Sequence, residues 1–252
     1  MNGHRFRSWA ATHPGARRTH NEDSFVDRPG LGLWAVADGA GGHEAGEVAA
    51  VMIAEQLAAI PEDLGAAGLL AEVRRRVAAA HEALRSEAAR RGPYAIIAAT
   101  LVVLLARDDH FACLWAGDAR GYLLRDGVLS QITHDHSLVQ ELVDTGAITA
   151  AEAEHHPRAN IVTRAVGADL EELELDKATG TLVIGDRLLL CSDGVSKSLA
   201  EAELRTLLGA PEGVPPTELL LTAALAHEAS DNITAIAIEV LRADFPGSRG
   251  LE

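Results

Sequence analysis

Several aspartates in this sequence lie next to apolar segments of the kind that form buried strands. Asp38 directly follows the apolar segment 31–37 and is followed by three glycines within four residues. Asp193 comes two residues after a second apolar segment, and Asp231 lies two residues before a third. Carboxylate oxygens are the ligands that hard cations such as Mg²⁺ and Mn²⁺ prefer. Three such positions therefore predict metal binding or catalysis at strand ends.

A turn is the competing explanation for each of these aspartates. Asp-Gly pairs favour turns through backbone geometry alone, so a single pair carries little information about function. A fourth aspartate, Asp118, follows the strand predicted over residues 111–115. Four aspartates in equivalent positions are harder to explain as independent turns, and we favour a shared site.

The elements that must position these aspartates are predicted by the hydrophobic pattern. Apolar or alternating segments predict strands near residues 4–12, 31–37, 96–106, 110–115, 121–125, 128–132, 173, 188 and 233–240. Helical periodicity predicts helices over residues 44–59, 64–91, 201–208 and 216–228. An Asp126-Gly127 pair predicts a hairpin between two of the strands. This mixture predicts the α+β class and nothing finer.

Residues 136–164 carry a separate helical pattern that predicts an inserted subdomain. Two capping-box matches, beginning at Ser137 and Thr149, mark helix starts within it. We refer to residues 137–160 as the flap.

Composition limits the classes of protein that the chain can belong to. Its 252 residues are 48% hydrophobic, which suits one globular domain, expected over residues 1–242 with a flexible tail over 243–252. The formal charge of -15 argues against non-specific nucleic-acid binding. No apolar segment reaches the roughly 18 residues of a membrane span, and no targeting segment is evident. Cys113 and Cys191 are expected to be small buried hydrophobes. We therefore expect a cytoplasmic monomer.

The order and spacing of the motifs resemble those of the PPM (type 2C) metal-dependent serine/threonine protein phosphatases, specifically the compact bacterial members. The motifs are R-x-x-N-E-D at residues 18–23, V-A-D-G-x-G-G-H at 36–43, A-G-D-x-R at 116–120, N-x-x-T-R-A-x-G at 160–167, C-S-D-G-V at 191–195 and S-D-N-I-T at 230–234. The resemblance covers nearly the whole chain. It implies a four-layer αββα sandwich of two antiparallel sheets flanked by helices, with the flap beside the metal site.

The resemblance also implies a mechanism, in which a hydroxide bridging two Mn²⁺ or Mg²⁺ ions attacks the phosphorus of phosphoserine or phosphothreonine. The implied ligands are Asp38 as the bridge, the Gly39 carbonyl on the first metal, Asp193 and Asp231 on the second, Glu22 and Asp23 through metal-bound waters, and Asp118 with Asp193 on a third, weaker metal.

Arg18 is the residue expected to hold the substrate phosphate. Its planar guanidinium can bind two phosphoryl oxygens at once, and its spacing to residues 21–23 selects it over neighbouring Arg17. One position departs from the family pattern: many eukaryotic relatives carry a histidine, thought to protonate the leaving group, where this chain has Ala40. We expect a metal-bound water to supply that proton here.

Other interpretations of the sequence are weaker. The glycines after Asp38 lack the third glycine of a dinucleotide-binding loop. Histidines at 134, 136, 155 and 156 suggest a zinc hydrolase, but solvated helix ends explain them better. The main alternative is a catalytically weak family member that binds phosphoproteins or acts as a scaffold. The partners implied by the resemblance are phosphorylated proteins and a cognate bacterial serine/threonine kinase, including kinases attached to type VI secretion systems.

Overall fold

The computed structural model describes residues 4–40, 44–168, 171–211 and 213–242. Its strands are β1 His4–His13, β2 Asp23–Arg28, β3 Leu33–Ala40, β4 Ala98–Arg107, β5 His110–Ala116, β6 Arg120–Arg125, β7 Val128–Gln131, β8 Asp176–Thr181, β9 Arg187–Cys191 and β10 Ile233–Arg242. Its helices are α1 Glu44–Ala58, α2 Ala66–Arg91, α3 Leu138–Asp144, α4 Ala150–Glu154, α5 Asp193–Ser196, α6 Glu201–Leu208 and α7 Pro216–Ala226. Within these ranges, no helix is both long and apolar enough to cross a membrane.

The strands form two antiparallel five-stranded sheets. One sheet has the order β2-β3-β4-β5-β8 and the other β1-β10-β9-β6-β7. Helices α1 and α2 pack on the outer face of the first sheet, and α6 and α7 pack on the outer face of the second. The expected four-layer αββα sandwich is therefore confirmed.

Helix α2 illustrates how the sequence builds an outer layer. Its buried residues Leu69, Val73, Val77, Ala80 and Leu84 recur at intervals of three and four, which places them on one face of the helix. That face packs against the first sheet, while intervening arginines pair with glutamates of the same helix.

Side-chain alternation along the strands assigns each residue to a layer, because successive side chains point to opposite faces of a sheet. In β3, Leu33, Ala35 and Ala37 face the outer helices, whereas Trp34 and Val36 face the other sheet. The same alternation continues into the polar end of β3. Asp38 therefore follows Val36 in the series that faces the space between the sheets.

Polar residues close this end of the layer between the sheets. Thr100 continues the inward-facing series of β4, Ser192 continues that of β9, and Thr234 precedes Ile236 in the inward-facing series of β10. Asp38 and Thr100 are direct cross-strand partners. Each sheet thus contributes polar side chains to one end of an otherwise apolar core.

Most predicted elements are present, with two differences. The Asp126-Gly127 hairpin is confirmed, and both residues have the positive φ of a type I′ turn, 51° and 76°. The strand expected near residue 173 begins only at Asp176. Within the described residues, the flap is less helical than its pattern suggests and contains only α3 and α4. The expected tail 243–252 and the motif residues 41–43 lie outside the described residues.

Cys113 and Cys191 are buried free thiols that form no disulfide, as the sequence predicts. Burial raises the pKa of both thiols to about 12, so neither is suited to act as a nucleophile.

A substitution at Gly194 would test the close packing of α5 against the residue that precedes β10. A Cβ at this residue would overlap the carbonyl of Asn232, which is backbone and cannot move independently. We expect Gly194→Ala to destabilise the protein by about 2 kcal/mol or more, by analogy with overpacked cores. Thermal unfolding measures this.

Gly30→Ala is the matched control, because nothing lies within 4 Å of a Cβ built at Gly30. Equal melting temperatures for the two variants would contradict the close packing of α5 on Asn232.

Candidate metal and catalytic site

Two of the predicted site residues face each other across neighbouring strands. Asp23 of β2 and Asp38 of β3 are paired directly in the antiparallel register. Like charges in this arrangement repel, which destabilises the pair when both are ionised. Among the described residues, no basic side chain forms an ion pair with either carboxylate. The pair therefore needs protons or bound cations.

Asp23 shows this need most clearly. The residue is buried, and neither of its carboxylate oxygens has a hydrogen-bond partner among the described residues. Burial raises its pKa to about 7, and the charges of Asp193 and Asp231 add to the rise, although the nearby hydroxyls of Thr234 and Ser192 oppose it. A buried carboxylate without a partner fits a residue that acts on a cation and its water shell.

Asp38 lies at the centre of the acidic residues. Burial raises the pKa of Asp38 well above its ordinary value. The negative charges of Asp23, Asp193, Asp118 and Asp231 raise it further, in that order of effect. Every predicted aspartate thus acts on Asp38 electrostatically. We call these five aspartates the acidic centre.

Asp193 reaches the acidic centre from the opposite sheet. It is the first residue of α5, directly after β9 and Ser192, and its backbone N–H points to Asp38 Oδ2 at 3.4 Å. Since Asp38 belongs to the first sheet and Asp193 follows the second, this contact joins the two halves of the sandwich.

Glu22 and Gly39 are brought together by backbone contacts. The Gly39 N–H donates to the Glu22 carbonyl at 3.1 Å. A Cβ on Gly39 would collide with the backbone of Gly46 in α1, so this close approach requires glycine. Burial raises the pKa of the Glu22 carboxyl. Both residues therefore lie beside the facing pair of Asp23 and Asp38.

Asn232 holds this loop in place, and no role was predicted for it. Its Oδ1 accepts from the Glu22 N–H at 2.8 Å, while its Nδ2 donates to the carbonyls of Pro14 and His20, both at 2.9 Å. The neighbouring Asp231 accepts from the Asn232 N–H at 2.9 Å. Its place inside the S-D-N-I-T motif was the available signal.

Arg18 lies at the rim of the acidic centre. Its Nη2 donates to Asp231 Oδ2 at 2.9 Å, and both side chains are about half exposed, at 54% and 42%. A half-exposed guanidinium at the rim of the acidic centre is suited to meet an anion arriving from solvent.

Lys197 is a second cation at the acidic centre, and the motif analysis missed it. Its Nζ donates to Asp193 Oδ2 at 2.6 Å, to Asn160 Oδ1 at 3.1 Å and to Asp118 Oδ2 at 3.3 Å. Burial raises the pKa of Asp118 to about 6, with Asp193 adding to the rise and Lys197 opposing it. The chemical signal was a lysine four residues after Asp193.

The described residues contain no group of three or more His, Cys, Asp or Glu side chains arranged as a ready metal cage. The histidines of the zinc interpretation make other contacts: His134 Nε2 pairs with Asp144 at 2.7 Å, and His136 Nδ1 accepts from the Gly117 N–H at 3.1 Å. Asp231 instead pairs with Arg18, and Asp118 and Asp193 pair with Lys197. The donor set is all oxygen, and the unpartnered Asp23 favours a hydrated hard cation.

The raised pKa of Asp23 predicts a pH dependence of stability in the metal-free protein. Folded Asp23 keeps its proton up to about pH 7, whereas the unfolded chain loses it near 3.8. Its contribution to stability is therefore full below the unfolded value and is lost as the pH rises to 7.

The asparagine introduced by Asp23→Asn carries no titratable proton. The free energy of unfolding of Asp23→Asn, relative to that of wild type, should therefore rise by up to about 3 kcal/mol between roughly pH 5 and 7.5. Thermal unfolding in chelator measures the difference, with Asp27→Asn on the same strand as the control. A difference that stays constant with pH would show that Asp23 is ionised throughout.

Comparison with known proteins agrees with this arrangement. A family model described as protein phosphatase 2C matches residues 15–216. The serine/threonine protein phosphatase PstP of Mycobacterium tuberculosis is 36% identical over 231 residues, which cover 92% of this chain and 44% of that protein. The chain therefore spans less than half the length of this curated relative.

Two solved structures share the fold. PppA, a key regulatory component of T6SS in Pseudomonas aeruginosa, is 41% identical with a TM-score of 0.87, over 96% of this chain and 100% of that one. The catalytic domain of PstP in complex with two manganese ions is 35% identical with a TM-score of 0.84, over 94% and 98% of the chains. The family model spans most of the sandwich, and the chain belongs to the protein phosphatase 2C family.

Proposed function

We propose that this chain hydrolyses phosphoserine and phosphothreonine in proteins with the help of two Mn²⁺ or Mg²⁺ ions. The observation that carries the proposal is the facing pair Asp23 and Asp38, since no basic side chain of the described residues pairs with either. The manganese ions in the similar PstP catalytic domain support the same assignment.

The residues around this pair have donors for two ions. Asp38 would bridge them, the Gly39 carbonyl would bind the first, and Asp193 and Asp231 would bind the second. Glu22 and Asp23 would act through water, which suits octahedral ions that retain part of their hydration shell. When bound, the ions acidify a water molecule and neutralise charge on the phosphoryl oxygens.

Arg18 would bind the substrate phosphate. Its guanidinium is paired with Asp231 at 2.9 Å, and the pair is half exposed. Such pairs contribute little to stability, typically less than about 1 kcal/mol. The guanidinium can therefore exchange Asp231 for a phosphoryl group at little cost, and its fork then orients the phosphorus toward Asp38.

Ala40 determines how the leaving group is protonated. It is an exposed residue at the end of β3, two positions after Asp38, and its methyl group cannot donate a proton. Water must serve instead, which matters most for a serine alkoxide because it is a poor leaving group. We therefore expect phosphopeptides to be cleaved, but more slowly relative to p-nitrophenyl phosphate than by a relative with histidine at this position.

Phosphorylated proteins are the proposed substrates, and a serine/threonine kinase is the proposed source of their phosphate. The likeness to PppA makes a kinase of a type VI secretion system one candidate. A monomeric state and a cytoplasmic location stay predictions from the sequence.

Metal dependence is the first test. Cleavage of p-nitrophenyl phosphate and of a phosphothreonine peptide should require Mn²⁺ or Mg²⁺ and should disappear with a chelator, because the donor set is all oxygen. Colorimetric phosphate release measures both reactions. Turnover that Zn²⁺ alone restores would contradict the oxygen-ligand site, whereas metal binding without turnover of either substrate would identify a phosphoprotein-binding or scaffold member.

Single substitutions should separate metal binding from phosphate binding. Asp38→Asn and Asp193→Asn should lower kcat by 100-fold or more, while Arg18→Ala should chiefly raise KM and leave Mn²⁺ affinity intact. Steady-state kinetics and calorimetric titration measure these quantities. Asp126→Asn is the matched control, since it removes a carboxylate at the β6–β7 hairpin, where asparagine suits the turn. Loss of Mn²⁺ binding in the Arg18 variant would contradict this division of roles.

A further inference from the structure

Lysine is rare in this chain, and one of its two lysines lies in the acidic centre. The sequence has 22 basic residues, of which only Lys177 and Lys197 are lysines. Lys177 is exposed on β8, opposite Leu114. Lys197 instead lies against Asp118 and Asp193, both of which were expected to hold a third metal.

The ammonium group of Lys197 has a complete set of oxygen partners. A lysine ammonium has three N–H donors, and Nζ lies within hydrogen-bond distance of three oxygens. Two belong to the carboxylates of Asp193 and Asp118 and one to the amide of Asn160. Asp118 is almost fully buried, at 4% exposure, whereas the Lys197 side chain is 37% exposed, so the ammonium reaches a buried carboxylate from the solvent side.

Local geometry delivers the ammonium to this position. Lys197 follows the last residue of α5, and its backbone N–H donates to the Asp193 carbonyl at 2.8 Å. Residues four apart on a helical turn lie on the same face, so the Lys197 side chain reaches the Asp193 carboxylate directly. The contact therefore depends on one short helix rather than on distant packing.

The shape of the group matters as well as its charge. An ammonium is a compact point charge that donates to oxygens in several directions, whereas a guanidinium donates within the plane of its fork. A compact cation surrounded by oxygens is also what a metal ion would be at Asp118 and Asp193. A lysine ammonium matches that requirement in both charge and compactness.

We propose that Lys197 is a tethered cation that takes the place of a third metal at Asp118 and Asp193. This rests on the proposed function, because it presumes that two metal ions bind at Asp38. It replaces the expectation that Asp118 holds a weaker metal: the chain binds two ions and supplies the third positive charge itself. Lys197 is thus a positioning residue that acts through Asp118 and Asp193.

The third partner connects this cation to the flap. Asn160 lies where the flap returns to the core, next to Ile161, whose carbonyl accepts from the Leu138 N–H at 2.9 Å. Ser137 and Val162 form a backbone bridge at the same point. Lys197 therefore connects the base of the flap to the acidic centre. Because its ammonium is covalently attached to the chain, this connection does not depend on the concentration of a metal ion.

The test is the number of Mn²⁺ ions bound per chain, measured by native mass spectrometry and calorimetric titration of the full chain after chelation. Wild type should bind two ions, and Lys197→Met, which removes the charge at similar length, should bind one more. Lys197→Arg should still bind two, because it keeps a cation, and the exposed control Lys177→Met should also bind two. Anomalous density beside Asp118 should appear only in Mn²⁺-soaked crystals of Lys197→Met.

Each outcome bears on one proposal. Three ions in wild type would show that Lys197 moves aside for a metal and would overturn the inference, as would two ions in both wild type and Lys197→Met. If Lys197→Met does not fold, Lys197→Gln, which also removes the charge, is measured in its place, and two ions in that variant would likewise overturn the inference. Fewer than two ions in folded wild type would instead contradict the proposed function.

Discussion

The burial of several carboxylates beside one another is the constraint on which the rest of this structure depends. Asp23 and Asp38 oppose each other across two strands, and the pKa of Asp23 rises from 3.8 to about 7 chiefly because the residue is buried, with the charges of Asp193 and Asp231 adding to the rise. Three pKa units correspond to about 4 kcal/mol, a large part of the 5–15 kcal/mol that typically stabilises a domain. Such a pair persists only if cations or protons relieve it and the surrounding core is stable enough to hold it.

The sandwich meets the second condition by placing the acidic residues at the end of a continuous apolar layer. Side chains from both sheets fill this layer, and Asp38 is the next inward-facing residue of β3 after Val36. Repulsion alone would push β3 away from α5. Hydrogen bonds oppose this: the Asp193 N–H points to Asp38, the Gly39 N–H donates to the Glu22 carbonyl, and Asn232 bonds the backbone of residues 14 and 22.

The sequence predicted the aspartates and the layers better than it predicted their contacts. Residues 31–37 are buried on both faces of the sheet, so their apolar pattern has no alternation from which the direction of Asp38 could be inferred. That direction depends on the register with Asp23 and Thr100, which only the folded chain defines. In the flap, capping signals located the starts of α3 and α4, but the left-handed Gly146 and the nearby Pro157 end them early.

The charges supplied by the chain are distributed unevenly over the acidic centre. Arg18 pairs with Asp231 at the exposed rim, and Lys197 pairs with Asp118 and Asp193 on the side of the flap. Between them, Asp23 and Asp38 have no basic partner among the described residues. A divalent ion therefore gains the most electrostatic free energy beside Asp23 and Asp38, whose charges no basic side chain of the described residues compensates. This asymmetry would direct metal first to Asp23 and Asp38, because the single charge of Lys197 already offsets part of the charge of Asp118 and Asp193.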